Sequence, residues 1–123
     1  MSNLNLERWY RAMKSRDPAL LDALLHDEAV FTSPVVHAPQ RGKAITKAYL
    51  TAASEVSTQD FRYVREFDCG DRAVLESICT LDGVEVNGVD LIEWDQNGLI
   101  TDFKVMVRPL KGMQAIHAAM GPF

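Results

Sequence analysis

The feature that most limits the fold of this chain is a series of four strand-like segments joined by very short turns in its second half. Each segment is rich in β-branched and aromatic residues, and the connections carry the turn signals CGD, DG and QNG. Turns this short join antiparallel neighbours, because parallel strands need a long crossover connection. The sequence therefore predicts an antiparallel meander over residues 60–67, 72–81, 84–95 and 99–107.

The first half of the chain has a mainly helical pattern. Apolar residues recur at helical spacing between Leu4 and Ser15. Asp17 followed by Pro18 is typical of a helix start and predicts a second helix, DPALLDALLHDE, with His26 in its last turn. The segment AVFTSP then predicts a short strand, which the loop VVHAPQRG follows, and GKAITKAYLTAASEV predicts a third helix.

A closing helix, PLKGMQAIHAAMG, is predicted between Pro109 and the stop signals Gly121 and Pro122. The order of elements predicts an α+β fold, with helices first and a curved antiparallel sheet after them. The chain has 123 residues with 47% hydrophobic content, which is enough for one core. We therefore expect residues 1–123 to form a single domain.

The composition disfavours several partners and compartments. A net charge of -4 with both signs interspersed indicates neither a nucleic-acid-binding surface nor a surface for anionic membranes. No apolar run approaches the roughly 18 residues that span a bilayer, and the N-terminus lacks a signal-type apolar segment, so a cytoplasmic protein is expected. Cys69 and Cys79 are predicted too far apart for a disulfide, which fits a reducing compartment.

The two faces of the predicted sheet differ in polarity. The inner face is mainly apolar and carries Leu75, Ser77, Cys79, Val86, Ile92, Trp94, Phe103, Val105 and Val107. The outer face mixes large apolar side chains with charges and carries Glu76, Ile78, Leu91, Glu93, Lys104, Met106 and Arg108. Apolar residues with a polar rim indicate an interface, so we predict a homodimer through the outer sheet face. The alternatives are a solvated surface with scattered apolar residues and a face that binds a different protein.

Asp90, in the segment NGVDLIEWDQNG, falls on the inner face beside Ile92 and Trp94. Burial disfavours the ionised form of a carboxyl group, so we expect Asp90 to have a raised pKa and to be able to donate a hydrogen bond. A structural acid, bonded to a backbone N–H or to Tyr10, is equally consistent with the pattern.

The segments RDPALLDALLHDEAVFTSP, PQRGK and VDLIEWDQNGLITDFKVMV, in this order, resemble the SnoaL-like and ketosteroid-isomerase-like branch of the nuclear transport factor 2 superfamily. The resemblance covers nearly the whole chain. It implies a cone in which a curved sheet wraps around helices. It leaves the function open, because this fold hosts isomerases, cyclases, dehydratases, epoxide hydrolases and non-catalytic binding modules.

Four residues fall at positions that correspond to functional residues in enzymes of this superfamily. Asp90 falls where the ketosteroid isomerases hold a protonated aspartate that donates to the substrate oxygen. Trp9 corresponds to their tyrosine donor and Ser33 to their catalytic aspartate, which disfavours classical ketosteroid isomerase chemistry. Val105 falls near an aspartate that the epoxide hydrolases of the superfamily need, which disfavours that chemistry as well.

The resemblance implies a pocket for a small apolar molecule with a carbonyl or hydroxyl group. We expect Asp90 to polarise that oxygen and His37 to act as a base, with a merely exposed His37 as the alternative. The expected ligand-binding residues are Trp9, Tyr10, Ser33, Tyr49, Tyr63, Ile92, Phe103 and Val105. Tyr49 and Tyr63 are alternatively core residues.

No metal or other cofactor is expected. The histidines lack metal-ligand spacing, and no glycine-rich turn between a strand and a helix is present to hold phosphates. Two hypotheses follow: an acid–base enzyme of isomerase, cyclase, lyase or hydrolase type, and a non-catalytic ligand-binding or dimerisation module of the same fold.

Overall fold

The structure is a computed structural model that describes residues 4–56 and 60–121. Within these ranges it contains four helices and six strands. In chain order they are α1 (Leu4–Ser15), α2 (Pro18–Leu24), β1 (Leu25–Thr32), β2 (Gln40–Arg41), α3 (Lys43–Val56), β3 (Arg62–Asp68), β4 (Arg72–Leu81), β5 (Val84–Trp94), β6 (Ile100–Arg108) and α4 (Leu110–Met120).

The six strands form one curved, unclosed sheet in the order β2-β1-β6-β5-β4-β3. The predicted meander is confirmed, since β3, β4, β5 and β6 are successive antiparallel neighbours. Strand β1, which lies outside the meander, pairs parallel to β6. The two strands are separated by most of the chain, which supplies the long connection that a parallel pair requires. The fold is therefore α+β with a mixed sheet.

The boundary between α2 and β1 differs from the prediction. The helix begins at Pro18, with the Asp17 carboxylate accepting a hydrogen bond from the Ala19 N–H, but it ends at Leu24. The predicted position of His26 in the last helical turn is wrong: His26 lies in β1, where its Nδ1 accepts from the Glu28 N–H at 2.9 Å. Leu25 is buried and pairs with Ile100, so strand pairing replaces the last predicted turn of helix.

The loop after β1 contains a short strand that the sequence pattern does not indicate. Strand β2 has only two residues, which pair with Val30 and Phe31 of β1. Pro34 and Pro39 both precede β2 in this loop, and an edge strand of two residues is too short to show a periodic pattern in the sequence.

The core lies between the inner face of the sheet and the helices. Trp9 of α1 stacks on Phe103 of β6 with ring centroids 5.1 Å apart, and Tyr49 of α3 stacks on Phe31 of β1 at 4.1 Å. All four rings are almost fully buried. These contacts hold α1 and α3 against the inner face of the sheet.

Two further properties concern the described part of the chain. Cys69 is exposed, Cys79 is buried in β4, and no disulfide joins them. None of the helices in residues 4–56 and 60–121 has both the length and the apolar character that crossing a membrane requires.

Candidate active site

A cavity of about 340 Å³ lies between the inner face of the sheet and helices α1, α3 and α4. This volume is typical of pockets that bind small molecules. Most of its lining is apolar. The lining comprises Trp9, Met13, Lys14, Arg16, Tyr49, Leu50, Ala53, Ser54, Val56, Phe61, Tyr63, Ser77, Cys79, Val86, Gly88, Asp90, Phe103, Val105, Val107, Ile116 and Met120.

Asp90 lies on β5 with its side chain on the inner face and borders the cavity. Its cross-strand partners are Leu75 on β4 and Val105 on β6, both buried. Antiparallel partners present their side chains on the same face. The carboxyl group is therefore flanked by aliphatic side chains on both sides.

Burial raises the pKa of Asp90 from the ordinary value of 3.8 to about 7. No hydrogen bond joins its carboxyl group to any residue in the described ranges. The alternative of a structural acid bonded to Tyr10 is not what the structure shows, because the Tyr10 hydroxyl donates to Glu66. Asp90 is thus a carboxyl group that is only partly solvated, is partly protonated at neutral pH and lines the cavity.

Two tyrosines share the electrostatic environment of Asp90. Burial, followed by the negative charge of Asp90, raises the pKa of Tyr49 and of Tyr63, so both hydroxyls stay protonated. The Tyr63 oxygen accepts a hydrogen bond from Trp9 Nε1 at 3.2 Å, which leaves the hydroxyl proton available for donation. Tyr63 is therefore a second hydrogen-bond donor in the same cavity.

Gly88 keeps open the space next to Asp90. It lies two residues before Asp90 on the same face of β5 and pairs with Ser77 and Val107. A Cβ atom at this position would lie 3.4 Å from Ser77 Oγ and 3.9 Å from Val107 Cγ2. A longer side chain here would extend into the cavity that Asp90 also lines.

Comparison with known proteins assigns the family. Residues 6–103 match the family model of the SnoaL-like domain. The chain belongs to the SnoaL-like family. No curated protein matches it.

Several solved structures share the fold of this SnoaL-like chain. A steroid Δ-isomerase from Pseudomonas aeruginosa is 38% identical, with a TM-score of 0.88 and coverage of 95% of this chain and 86% of that one. An uncharacterized bacterial protein with a cystatin-like fold from Silicibacter pomeroyi is 31% identical, with a TM-score of 0.86 and coverage of 96% and 83%. An NTF2-like protein of unknown function from Mesorhizobium loti is 25% identical, with a TM-score of 0.71 and coverage of 85% and 88%.

The cavity of this SnoaL-like chain brings together some of the catalytic and ligand-binding residues that the sequence predicts. Asp90, Trp9, Tyr49, Tyr63, Phe103 and Val105 all line it. Four other candidates lie outside this lining: Tyr10, Ser33, His37 and Ile92.

Each residue outside the lining has a different environment. The Ser33 hydroxyl accepts hydrogen bonds from the Val35 and Val36 N–H groups and so stabilises the turn after β1. Ile92 is 1% exposed and belongs to the core, and His37 is exposed on the loop. The role of His37 as a base stays a prediction, and a ligand would have to extend beyond the cavity to reach it.

The helices contribute lining residues that sequence reasoning missed. Met13, Leu50, Ala53, Ile116 and Met120 line the cavity from α1, α3 and α4. Their helical spacing indicates a buried face, but it does not distinguish a face packed on the core from one that borders a cavity. Lys14 and Arg16, at the end of α1, gave no signal in the sequence.

The cavity of this SnoaL-like chain offers few donors for a metal. Asp90 and Cys79 are the acid and the thiol in its lining, and no histidine in the described ranges joins them. No group of three or more His, Cys, Asp or Glu side chains converges anywhere in the described residues. Among the described lining residues, Asp90, Tyr49 and Tyr63 are groups that can donate or accept a proton or a hydrogen bond.

Proposed function

We propose that this protein is an acid–base enzyme that acts on a small, mainly apolar compound with a carbonyl or hydroxyl group. The observation that carries the proposal is Asp90: its carboxyl group faces an apolar cavity and has no hydrogen-bond partner in the described ranges. Its apolar surroundings solvate the carboxyl group poorly, and a ligand oxygen in the cavity would supply a hydrogen-bond partner.

In this reaction the protonated Asp90 donates a hydrogen bond to the ligand oxygen. Negative charge develops on that oxygen when the neighbouring carbon gives its proton to a base, the role that the sequence predicts for His37, which then returns the proton to the product. A preorganised donor in a site that the bound ligand shields from water stabilises that charge more than water does. The Tyr63 hydroxyl, whose oxygen is held by Trp9, acts as the second donor. Both donors contribute more in the transition state than in the ground state, which is the requirement for catalysis.

A turnover screen with small apolar ketones, unsaturated ketones and alcohols tests the proposal. We expect Asp90→Ala to lower kcat by about 10²- to 10⁴-fold, as is typical for the loss of a positioned acid or base. Because the donor must be protonated, kcat/KM should be highest below pH 7 and should fall as the pH rises through the raised pKa of Asp90, about 7. Asp27→Asn removes a carboxylate whose side chain is 93% exposed and serves as the matched control.

A second candidate reaction uses the ionised form of Asp90. It is favoured by the 38% identity to a protein named as a steroid Δ-isomerase. In the isomerisation of a β,γ-unsaturated ketone, the carboxylate would take a proton from the carbon between the carbonyl and the double bond and return it to the far carbon of that double bond. The activity would then rise as the pH increases through 7, which is the opposite of the first profile.

The same measurements separate both reactions from a non-catalytic module. A binding module of this fold would take up apolar ligands in the cavity and convert none of them. Unchanged kcat in Asp90→Ala, with a substrate found in the screen, would remove Asp90 from the mechanism.

A further inference from the structure

We infer that the ligand of this cavity is an amphipathic anion, with an apolar body inside and an acidic group held by Lys14 and Arg16. The inference rests on the proposed function, because it assigns the chemical class of the molecule in the same cavity. It depends on the charges at the end of α1, which have no part in the chemistry at Asp90.

Lys14 and Arg16 both line the cavity and are both exposed, so they lie where the cavity meets the solvent. Neither makes an ion pair with any residue in the ranges 4–56 and 60–121. Apart from Asp90, which is partly protonated at neutral pH, the described lining contains no acid. The fixed charge of the lining is therefore positive and is unneutralised within the described part of the protein.

Asp17, Glu55 and Asp60 adjoin lining residues in the chain, but none of them makes an ion pair with Lys14 or Arg16. Asp17 and Asp60 lie outside the lining, and each accepts a backbone hydrogen bond, from the Ala19 N–H and the Thr80 N–H respectively. Glu55 is exposed on α3 and also lies outside the lining. A ligand with its own negative charge would complement the two cations.

The backbone of Arg16 gives an independent argument. Its φ is +56°, in the left-handed region, and its N–H closes the end of α1 on the Ala12 carbonyl at 3.1 Å. Helices usually place glycine at such a position, since a side chain there is strained. The turn itself therefore does not require arginine, and arginine has a conformational cost here that glycine would not have.

A structural explanation exists for Lys14, and it makes a different prediction. A cation in the last helical turn interacts favourably with the helix dipole. On that explanation, removing the charge would lower stability and leave ligand binding unchanged.

A matched pair of fluorescent probes tests the inference. Anilinonaphthalene sulfonate and N-phenylnaphthylamine share the same aromatic rings, but only the first carries an anionic group. We expect Arg16→Gly and Lys14→Gln each to weaken sulfonate binding by about two- to fivefold, the range for a single exposed charge pair. Binding of the neutral amine should be unchanged, and roughly 1 M salt should weaken binding of the sulfonate only.

Arg16→Gly also separates a ligand role from a structural one. Because glycine suits a positive φ, this variant should unfold at the same temperature as the wild type or at a higher one. Equal effects on both probes, or no effect on the sulfonate, would overturn the inference.

A cavity-blocking variant makes failure of the inference distinguishable from failure of the proposed function. Ala53→Phe fills the cavity from α3 and should abolish binding of both probes, with folding checked by circular dichroism. If the amine binds to the wild type and Ala53→Phe prevents this binding, the cavity holds small molecules. If Lys14 and Arg16 then have no effect on sulfonate binding, only the proposal of an anionic ligand is contradicted. If neither probe binds the wild type, the proposed small-molecule function fails with it.

Discussion

Asp90 destabilises the folded protein whenever it is ionised, because Leu75 and Val105 flank it and no described residue solvates its charge. In the unfolded chain the same carboxyl group is in water and ionises at its ordinary pKa. The folded state therefore holds the Asp90 proton over a pH range in which the unfolded state has lost it. Such a difference makes stability fall as the pH rises through that range.

Asp90→Asn should reveal this cost. The pKa of Asp90 is raised from 3.8 to about 7, a difference equivalent to roughly 4 kcal/mol. Because water in the open cavity screens the charge, we expect about 1 to 3 kcal/mol of this in the free energy of unfolding. Relative to the wild type, the asparagine variant should gain stability between about pH 4 and pH 7 and show a constant difference above that range.

Chemical denaturation at a series of pH values measures this difference. The exposed Asp27→Asn variant controls for a general loss of negative charge. Burial of the asparagine amide has its own cost in free energy of unfolding, but that cost does not depend on pH. The diagnostic quantity is therefore the change with pH in the stability difference between Asp90→Asn and the wild type. A difference between Asp90→Asn and wild type that is flat from pH 4 to pH 8 would contradict a buried, raised-pKa carboxyl group.

The placement of Asp90 could be predicted from the sequence, whereas that of His37 could not. In a paired strand the backbone sends alternate side chains to opposite faces, so one apolar stripe fixes the direction of every residue in β5. The loop that contains His37 has no such periodicity. Tyr10 was ambiguous for a related reason: it neighbours Trp9 on α1, and a helical wheel does not resolve which of two adjacent aromatic residues reaches the cavity.

At the scale of elements, α4 closes one side of the cavity and packs on β5 through Gly112. Ile116 and Met120 of α4 line the cavity. Gly112 is buried, and a Cβ atom there would lie 3.1 Å from the Glu85 carbonyl oxygen and 3.4 Å from Val86 Cα. Both contacts are with the backbone of β5, which cannot move aside as a flexible side chain would.

Gly112→Ala should therefore lower stability although alanine is the better helix former. The propensity gain is about 1 kcal/mol, and the cost of overpacking is about 1 to 3 kcal/mol. We expect a net loss of about 1 kcal/mol in the free energy of unfolding, measured by urea denaturation. Ala118→Gly, on the exposed surface of α4, is the control for propensity alone and should lose about 1 kcal/mol. A stabilised Gly112→Ala would show that α4 can shift away from β5.

The elements most accurately predicted were those set by local chemistry. The N-cap at Asp17 and the short turns between β3, β4, β5 and β6 all form as expected. Long-range pairing explains the errors. Leu24 and Leu25 are both good helix formers, and the pairing of Leu25 with Ile100, far along the chain, outweighs that local preference at Leu25.

At the scale of the whole molecule, the outer sheet face has no helix over it in the described part of the chain. Ion pairs and apolar side chains alternate on this face: Arg65 Nε lies 2.6 Å from Glu76 Oε1, and Met106 is paired with Val89. Phe67 and Met106 are 54% and 52% exposed. Exposed apolar side chains on an open sheet face are typical of protein interfaces, so the homodimer stays a prediction of the sequence that the exposure of these side chains favours.

A charge in the centre of the outer sheet face should separate the two subunits of the predicted homodimer. We expect the wild type to sediment at twice its chain mass of 13.8 kDa and Met106→Glu to sediment at 13.8 kDa, because an unpaired carboxylate in a desolvated interface costs several kcal/mol. Leu110→Glu is the matched control, since Leu110 is 66% exposed but lies on α4, away from this face. If the wild type itself sediments at 13.8 kDa at micromolar concentration, the outer sheet face is a solvated surface or a site for a different protein.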